Sequence, residues 1–538
     1  MNENIKTNNK YLPIIFSIVL IIGVLLGILL SGTLQNKNLF SKKNQGYEKI
    51  NDVINFVLQD YVDTISINKL QEKAITGMLE SLDPHSVYIS SEEFNDANDP
   101  LMGNFEGIGV QFKIQNDTIM VVNTVSGGPS EKVGIMAGDR IVKVDGKNVA
   151  SIGIKDTDVL KNLKGKKGSI VKVSIFRRGF NHIIDFNIIR DVIPTYSIDI
   201  SYMVDNQIAY IKLSKFSATT IQEFSNALED LNQKGMQKLI LDLRGNGGGF
   251  LKAAVVLADE FLSKGKLIVY TEGKNSPIEK YFATNKGIAE SKALVVLIDE
   301  WSASASEIIA GAIQDNDRGW IIGRRSFGKG LVQEQFNLSD GSAVRLTVAR
   351  YHTPTGRCIQ KSYKKGMDDY MNDFNQRYMN GELENPDSTK FVDSLKYTTP
   401  KGKTVYGGGG IMPDIYIPLH IDKNLDYYNQ LINKGLIYQF AFEYTDKNRN
   451  SFTAYKNAED YIRRFNINDL VLNEFTEYAA KNGISKNVKA YAASIDKVKI
   501  LLKAFIGRNV FDDKGFYPIY LQTDSAFLKA VEQLKKEK

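Results

Sequence analysis

The sequence predicts a multidomain protein built on an α/β core, and three patterns along its 538 residues carry that reading. From Gln207, short apolar strands alternate with amphipathic helices, as in a layered α/β domain. Over 104–190 the chain changes to short β-type runs punctuated by glycine, which read as a small, separate domain. Toward both ends, apolar residues recur at helical spacing without a strand pattern. The chain is also too long for one compact domain.

Taken in order, the first element is Leu12 to Leu30, LPIIFSIVLIIGVLLGILL, nineteen residues without a charge. That length crosses a bilayer. Lys6 and Lys10 precede it, so the positive-inside bias places the N-terminus in the cytoplasm and the rest outside. The expected state is a single-pass anchor over 1–31 in the cytoplasmic (inner) membrane, with the remainder on the extracytoplasmic or periplasmic side. A cleaved signal is the rival reading. Against it, the run exceeds an ordinary signal core, and only Ser31-Gly32-Thr33 follows where a small-residue cleavage site would stand. No cysteine stands directly after the run to carry a lipid.

Residues 32–46 are polar and read as a tether. In 47–103, Ile50, Val53, Ile54, Val57, Leu58 and Tyr61, then Leu70, Ile75, Met78 and Leu79, mark two amphipathic helices ending at Asp83-Pro84. In 104–190, GIGVQFKI, TIMVVNTV, DRIVKVDG and SIVKVSIFRRG read as strands, with SEKVGIMAGD a short helix and its stop. In 191–420, strands IAYIKL, KLILDLR, KLIVYT and ALVVLID alternate with helices over 219–234, 250–263 and about 305–315. Residues 361–405 are polar and read as a surface insertion. The segment 421–538 reads as helical and carries no catalytic motif.

Composition excludes several function classes. Hydrophobic content of 43% and charged content of 24% describe a globular chain, not a disordered one. Net charge is +6 with Lys and Arg dispersed, so no nucleic-acid partner is expected. The single cysteine, Cys358, cannot form an internal disulfide and reads as packing. The four histidines lack metal-ligand spacing, so no metal is expected.

Chemistry concentrates in 242–336. DLRGNGGGF places four glycines in five positions between a strand and a helix. Such a turn exposes N–H groups, suiting a phosphate loop, an oxyanion hole or merely a tight turn. It is not a Walker loop, because no G-K-[ST] follows. In LVVLIDEWSASASEIIAGAIQDN, a strand ends and a helix begins at about Ser304. There a developing alkoxide meets the positive end of the helix dipole. Ser304 with Glu307 also fits an ordinary capping box, the commoner role of a serine at a helix start. RRSFGKGLVQEQF shifts that balance. Lys329 stands between two glycines at a strand start, where the chain can draw it back into a cleft. An ordinary lysine, titrating near 10.4, is neutral in about one molecule in 2,500 at pH 7. Burial lowers that pKa and lets the amine accept a serine proton. Period-two alternation puts Gln333 on the face of Lys329, where its amide would orient the amine.

The blocks S-A-S-E and F-G-K-G-x-x-Q, with serine and lysine 25 residues apart, resemble the carboxy-terminal processing, or tail-specific, peptidases. The resemblance covers most of 47–420 and extends to LDPHSVYIS (82–90), FEGIGV (105–110), PSEKVGIMAGDRIVKVDGK (129–147), TVARYHTPTGR (347–357) and GGGGIMPDI (407–415). It implies a crotonase-like ββα peptidase core with an inserted PDZ domain over 104–190. It implies Ser304 as nucleophile, Lys329 as general base and Gln333 as third member of the triad. The oxyanion donors it implies are the N–H groups of Ala305 and Gly249. No cofactor is implied. Partners would be proteins or peptides held by their C-termini, the carboxylate lying on Gly107, Ile108, Gly109 and Val110. The other reading of that loop is an ordinary β-turn.

Three departures accompany the match. Trp301 stands where the family commonly has a small residue, Arg324-Arg325 replaces a more usual acidic residue, and 361–405 with the helical tail lies outside the common core. A catalytically silent PDZ scaffold at the membrane is the alternative from another class, and covalent labelling with a fluorophosphonate discriminates it. A penicillin-binding enzyme would need S-x-x-K with partner motifs, and the S-x-x-K at Ser66–Lys69 has none. The terminal helices leave homo-oligomerisation open.

Overall fold

The computed structural model describes residues 11–35, 47–284, 287–389, 393–419 and 425–537. Most of the expected tether lies outside them. The chain divides into Met1–Gly77 and Met78–Lys538. In the first unit, helices Leu12–Gln35 and Tyr47–Asp60 and most of Ile67–Glu80 appear where the apolar spacing put them. The side chains described in the first helix, 13–27, are exposed. Among the described residues no helix is long and apolar enough to cross a membrane, so the anchor reading rests on sequence alone.

The second unit is organised around a six-stranded sheet. Its order is Ile198–Met203, Ile208–Leu213, Lys238–Asp242, Ala293–Ile298, Trp320–Gly323 and Ile415–Tyr416, parallel after the first antiparallel pair. The continuous apolar runs follow from burial of both faces. Ala209, Ile211, Leu241 and Val296 point to one core with helices Thr220–Gln233, Leu251–Asp259 and Ala305–Asp315. The alternate residues Ile208, Tyr210, Ile240 and Val295 face a second core, closed by Leu521, Phe527, Ala530 and Leu534 of the C-terminal segment. The Phe527 ring meets Tyr210 edge-on at 5.5 Å. Burying one such side chain stabilises by about 1.5–3 kcal/mol. The tail is therefore the cover of the sheet's second face.

An antiparallel sheet stands beside this core. Val87–Ile89, Ala343–His352, Leu267–Glu272 and Glu279–Phe282 run in that order, and Leu331–Asn337 pairs with Ala343–His352. The PDZ sheet runs Val110–Gln115, Thr118–Thr124, Arg140–Val144, Ile170–Phe176 and Ile184–Ile189, with Val110–Gln115 at an edge. It joins the core through the antiparallel pair Asn104–Gly107 with Asp191–Pro194. Its outer face meets the C-terminal helices: Lys113 lies 4.1 Å from the Tyr438 ring centroid, and Arg140 pairs with Asp446 at 3.5 Å.

Residues 361–405 are mostly exposed or half-buried, as a surface insertion would be, but a few of them reach inward. Tyr370, Arg377, Glu382 and Leu383 are buried. Arg377 donates to the carbonyls of Ser326 (2.9 Å), Arg325 (3.1 Å) and Phe327 (3.2 Å), pinning the loop that leads to Lys329. A polar segment buries when its charges are paired.

Candidate active site

Two loops converge at the C-terminal ends of the parallel strands. The first follows Ala293–Ile298. Asp299 accepts from Ser302 N–H (3.0 Å to its carbonyl, 3.1 Å to its carboxylate) and from Gly245 N–H at 2.9 Å, tying the serine loop to the glycine turn. Ser302 and Ser306 are buried and spend their hydroxyls on the carbonyls of Leu243 and Asn246, both at 2.9 Å. Ser304 differs. It is half-buried and held at φ 55°, ψ −112°, a conformation that costs a non-glycine residue about 1–3 kcal/mol. Only one half of a capping box has hydrogen-bond geometry: Ser304 N–H donates to the Glu307 carboxylate at 2.9 Å, while Glu307 N–H donates to the Ser304 carbonyl at 2.8 Å and the Ser304 hydroxyl has no hydrogen bond among the described residues. A serine whose only task was capping would bond the helix N–H groups through that oxygen.

The second loop carries Lys329, and one buried carboxylate joins the two. Glu307 accepts from Ser304 N–H (2.9 Å), Lys329 N–H (2.9 Å), Gly328 N–H (2.7 Å) and the Ser326 hydroxyl (2.5 Å). The Tyr351 hydroxyl lies within reach of the Lys329 carbonyl (2.8 Å) and the Ser304 carbonyl (3.1 Å). The sequence offered Glu307 only as a helix cap and gave no signal for Tyr351. The Lys329 ammonium has no hydrogen bond or ion pair among the described residues. Burial, with Arg345 nearby, draws its pKa below the ordinary lysine value, while Glu307 and Asp83 oppose the shift. Ser304 and Lys329 are not hydrogen-bonded to each other through their side chains. Such bonds are often long before substrate arrives.

Gln333 occupies its place for another reason than the alternation rule gave. The strand begins only at Leu331, and the register shifts between Val332 and Gln333, so counting by twos from Lys329 does not apply. Its amide nitrogen donates instead to Thr347 Oγ1 at 3.3 Å. Of the expected oxyanion donors, the N–H groups of Ala305 and Gly249 both lack an acceptor among the described residues. Gly248, at φ 101°, makes the close approach: a Cβ there would stand 2.8 Å from Ser304 Cβ and 3.0 Å from Ala305 N. Its own N–H is taken by Asn246 at 2.8 Å.

The departures also find their places. Arg324 pairs with Glu300 and Arg325 with Glu382, each at 2.6 Å, so the two arginines add no uncompensated charge. Trp301 is exposed and stacks on Phe374 of the insertion, ring centroids 5.2 Å apart. In the PDZ domain, Gly109 has φ 73° and the Ile108 carbonyl accepts from Ser130 N–H and Oγ. The N–H groups of Ile108 and Gly109 have no acceptor among the described residues.

A strained serine on an α/β core, in a chain that also carries a small PDZ-like β domain, is compatible with a serine-type peptidase, and the comparisons with known proteins point to that class. Residues 207–368 match Peptidase family S41, and 107–188 match a PDZ domain. Residues 30–93 match the activating protease CtpB N-terminal domain, and 427–512 match a family of unknown function. The carboxy-terminal processing protease CtpA of Bacillus subtilis is 37% identical over 353 residues, 64% of this chain and 75% of that protein. CtpB of the same organism is 34% identical over 333 residues, covering 61% and 68%. Among solved structures, a photosystem II D1 C-terminal processing protease is 30% identical, covering 57% of this chain and 89% of that one, with a TM-score of 0.34. The chain belongs to the carboxy-terminal processing protease family.

Proposed function

We propose that this peptidase cuts extracytoplasmic proteins, chosen by their C-termini, through Ser304 and Lys329. The observation that carries the reading is the shared carboxylate of Glu307, which sets the main chain of both residues around a serine with a free hydroxyl and a lysine with a lowered pKa. The neutral amine of Lys329 takes the Ser304 proton as Oγ bonds to the scissile carbonyl carbon. The N–H groups of Ala305 and Gly249 receive the oxyanion. The C–N bond then breaks, and the Lys329 ammonium gives its proton to the leaving amine. Water, deprotonated by Lys329, attacks the acyl-enzyme and frees Ser304. Gln333 orients the amine.

The PDZ loop Gly107–Val110 supplies selection. Ile108 and Gly109 N–H groups suit a terminal carboxylate, and the edge strand Val110–Gln115 leaves room for a substrate strand. The apolar run 12–30, behind Lys6 and Lys10, supports a membrane-tethered enzyme facing outward. The test is cleavage of an unfolded reporter by Ser304→Ala, Lys329→Ala and Lys329→Arg, each checked for native folding. All three are expected to be inactive, since arginine cannot yield its proton. Appreciable turnover by the arginine variant would sink the assignment. Amidating the reporter's tail is expected to weaken capture about tenfold, the loss of one charge-assisted hydrogen-bond site. Equal capture would make the PDZ domain structural.

A further inference from the structure

We infer that Thr347 is a positioning residue of the active site, the relay through which buried Asp83 fixes the orientation of the Gln333 amide. The inference rests on the Ser304–Lys329–Gln333 reading above and adds two residues that reading does not contain.

The argument is one of donors and acceptors. Asp83 is buried, and every hydrogen bond made to its side chain comes from a donor. Oδ1 accepts from His85 N–H (2.8 Å), Ser86 N–H (3.0 Å) and Thr347 Oγ1 (3.0 Å), and Oδ2 accepts from Ser86 Oγ (2.6 Å). A carboxylate can only accept. The single hydroxyl proton of Thr347 is therefore committed to Asp83, and its oxygen faces Gln333 as an acceptor. Only the NH2 end of the Gln333 amide satisfies that oxygen, at 3.3 Å. The amide's two ends are otherwise near-isosteric, so this chain decides which way it lies. Its carbonyl end stays unbonded among the described residues. That end is the one able to accept an N–H of the Lys329 amine, leaving the amine's lone pair for the serine proton.

The backbone supports the same placement. Gln333 and Thr347 are register partners on Leu331–Asn337 and Ala343–His352, directly after the register shift. Thr347 N–H donates to Ser86 Oγ at 3.1 Å, so the 83–86 turn grips this residue by main chain and side chain together. The strand Val87–Ile89 that follows the turn pairs with Ala343–His352 and holds the turn in register.

The test separates the hydroxyl from the methyl. Thr347→Val keeps shape and removes the relay, and Asp83 retains its other three donors. Thr347→Ser keeps the relay and removes the methyl. With an unfolded peptide reporter, Thr347→Val is expected to lose roughly tenfold in kcat with KM nearly unchanged, the signature of misorientation at the chemical step. Thr347→Ser is expected to recover kcat to within about twofold. Combined with Gln333→Ala, the valine substitution is expected to cost nothing further, because both act through one amide. Wild-type kcat in Thr347→Val, or a full additional loss in the double variant, would overturn the relay. The underlying reading is tested apart from it: a costly Gln333→Ala beside a silent Thr347→Val keeps the triad and rejects only Thr347. A silent Gln333→Ala rejects the triad's third member.

Discussion

Removing the Glu307 carboxylate is expected to cost both stability and catalysis, and the structure sets the size of each. Its two oxygens receive three N–H groups, buried or part-buried, and one hydroxyl, and it joins the Ser304 and Lys329 main chains through their N–H groups, as the Tyr351 hydroxyl does through their carbonyls. In Glu307→Ala the Ser326 hydroxyl can turn away, which leaves three N–H donors. An unsatisfied buried donor costs about 1–3 kcal/mol, for a gross loss of roughly 3–9 kcal/mol. Water entering the vacated space offsets part of that. So does relief of burying the carboxylate, whose pKa is raised chiefly by desolvation. A net loss of about 3–5 kcal/mol remains, large for one substitution yet within the stability of a folded domain. With Ser304 and Lys329 joined only through the Tyr351 hydroxyl, kcat is expected to fall by about a hundredfold. Glu307→Gln keeps one accepting oxygen and is expected to fall between. Urea unfolding with reporter kinetics measures both. An alanine variant as stable and as active as wild type would refute the idea that this carboxylate builds the site.

Three further substitutions test separate parts. Lys329→Met is expected to abolish turnover yet raise stability near neutral pH. A lysine whose folded pKa is lowered binds fewer protons folded than unfolded, so wild-type stability rises with pH between the lowered and ordinary values. That slope should vanish in the variant's pH-dependent unfolding. Gly248→Ala is expected to eliminate activity while the protein stays folded, since the added Cβ meets Ser304 and the Ala303 carbonyl at 2.8 Å with φ already at 101°. Normal kcat there would show that the turn does not approach the serine. Asp524→Ala removes one of the two carboxylate partners of Arg244 (2.8 Å), Asp242 staying at 2.6 Å, and the cap on Phe527 N–H (2.8 Å). Its expected cost is about 2 kcal/mol, from the lost cap and one largely buried charge-assisted contact. A change in unfolding free energy below about 1 kcal/mol would make that contact incidental.

Much of this architecture was legible because its strands alternate between two buried faces. Ile208–Leu213, for example, sends odd and even residues to different cores. Ser304 and Lys329 stood out as candidates through spacing and flanking glycines. The rest depended on contacts between distant segments that local pattern cannot report. Counting by twos failed at Gln333 because the strand starts late and its register shifts there. Polar composition concealed the burial of Tyr370 and Arg377, since paired polar groups and exposed ones look alike in sequence. Asp83 read as a helix stop, and only the fold brings it within 3.0 Å of Thr347, 264 residues away. Gly249 was the glycine named for the turn, yet Gly248 is the one that a side chain would drive into Ser304, because φ at each glycine is set by the turn as a whole.

The most direct test of the central claim is the rate at which a fluorophosphonate modifies the protein, followed by peptide mass spectrometry from neutral to alkaline pH. Wild type should be labelled at Ser304 alone. The rate should climb with pH and level off below the ordinary lysine titration if the base is Lys329, whose pKa burial lowers. Lys329→Arg should stay unlabelled throughout. Labelling of another serine, or wild-type labelling of the arginine variant, would contradict the Ser304–Lys329 assignment.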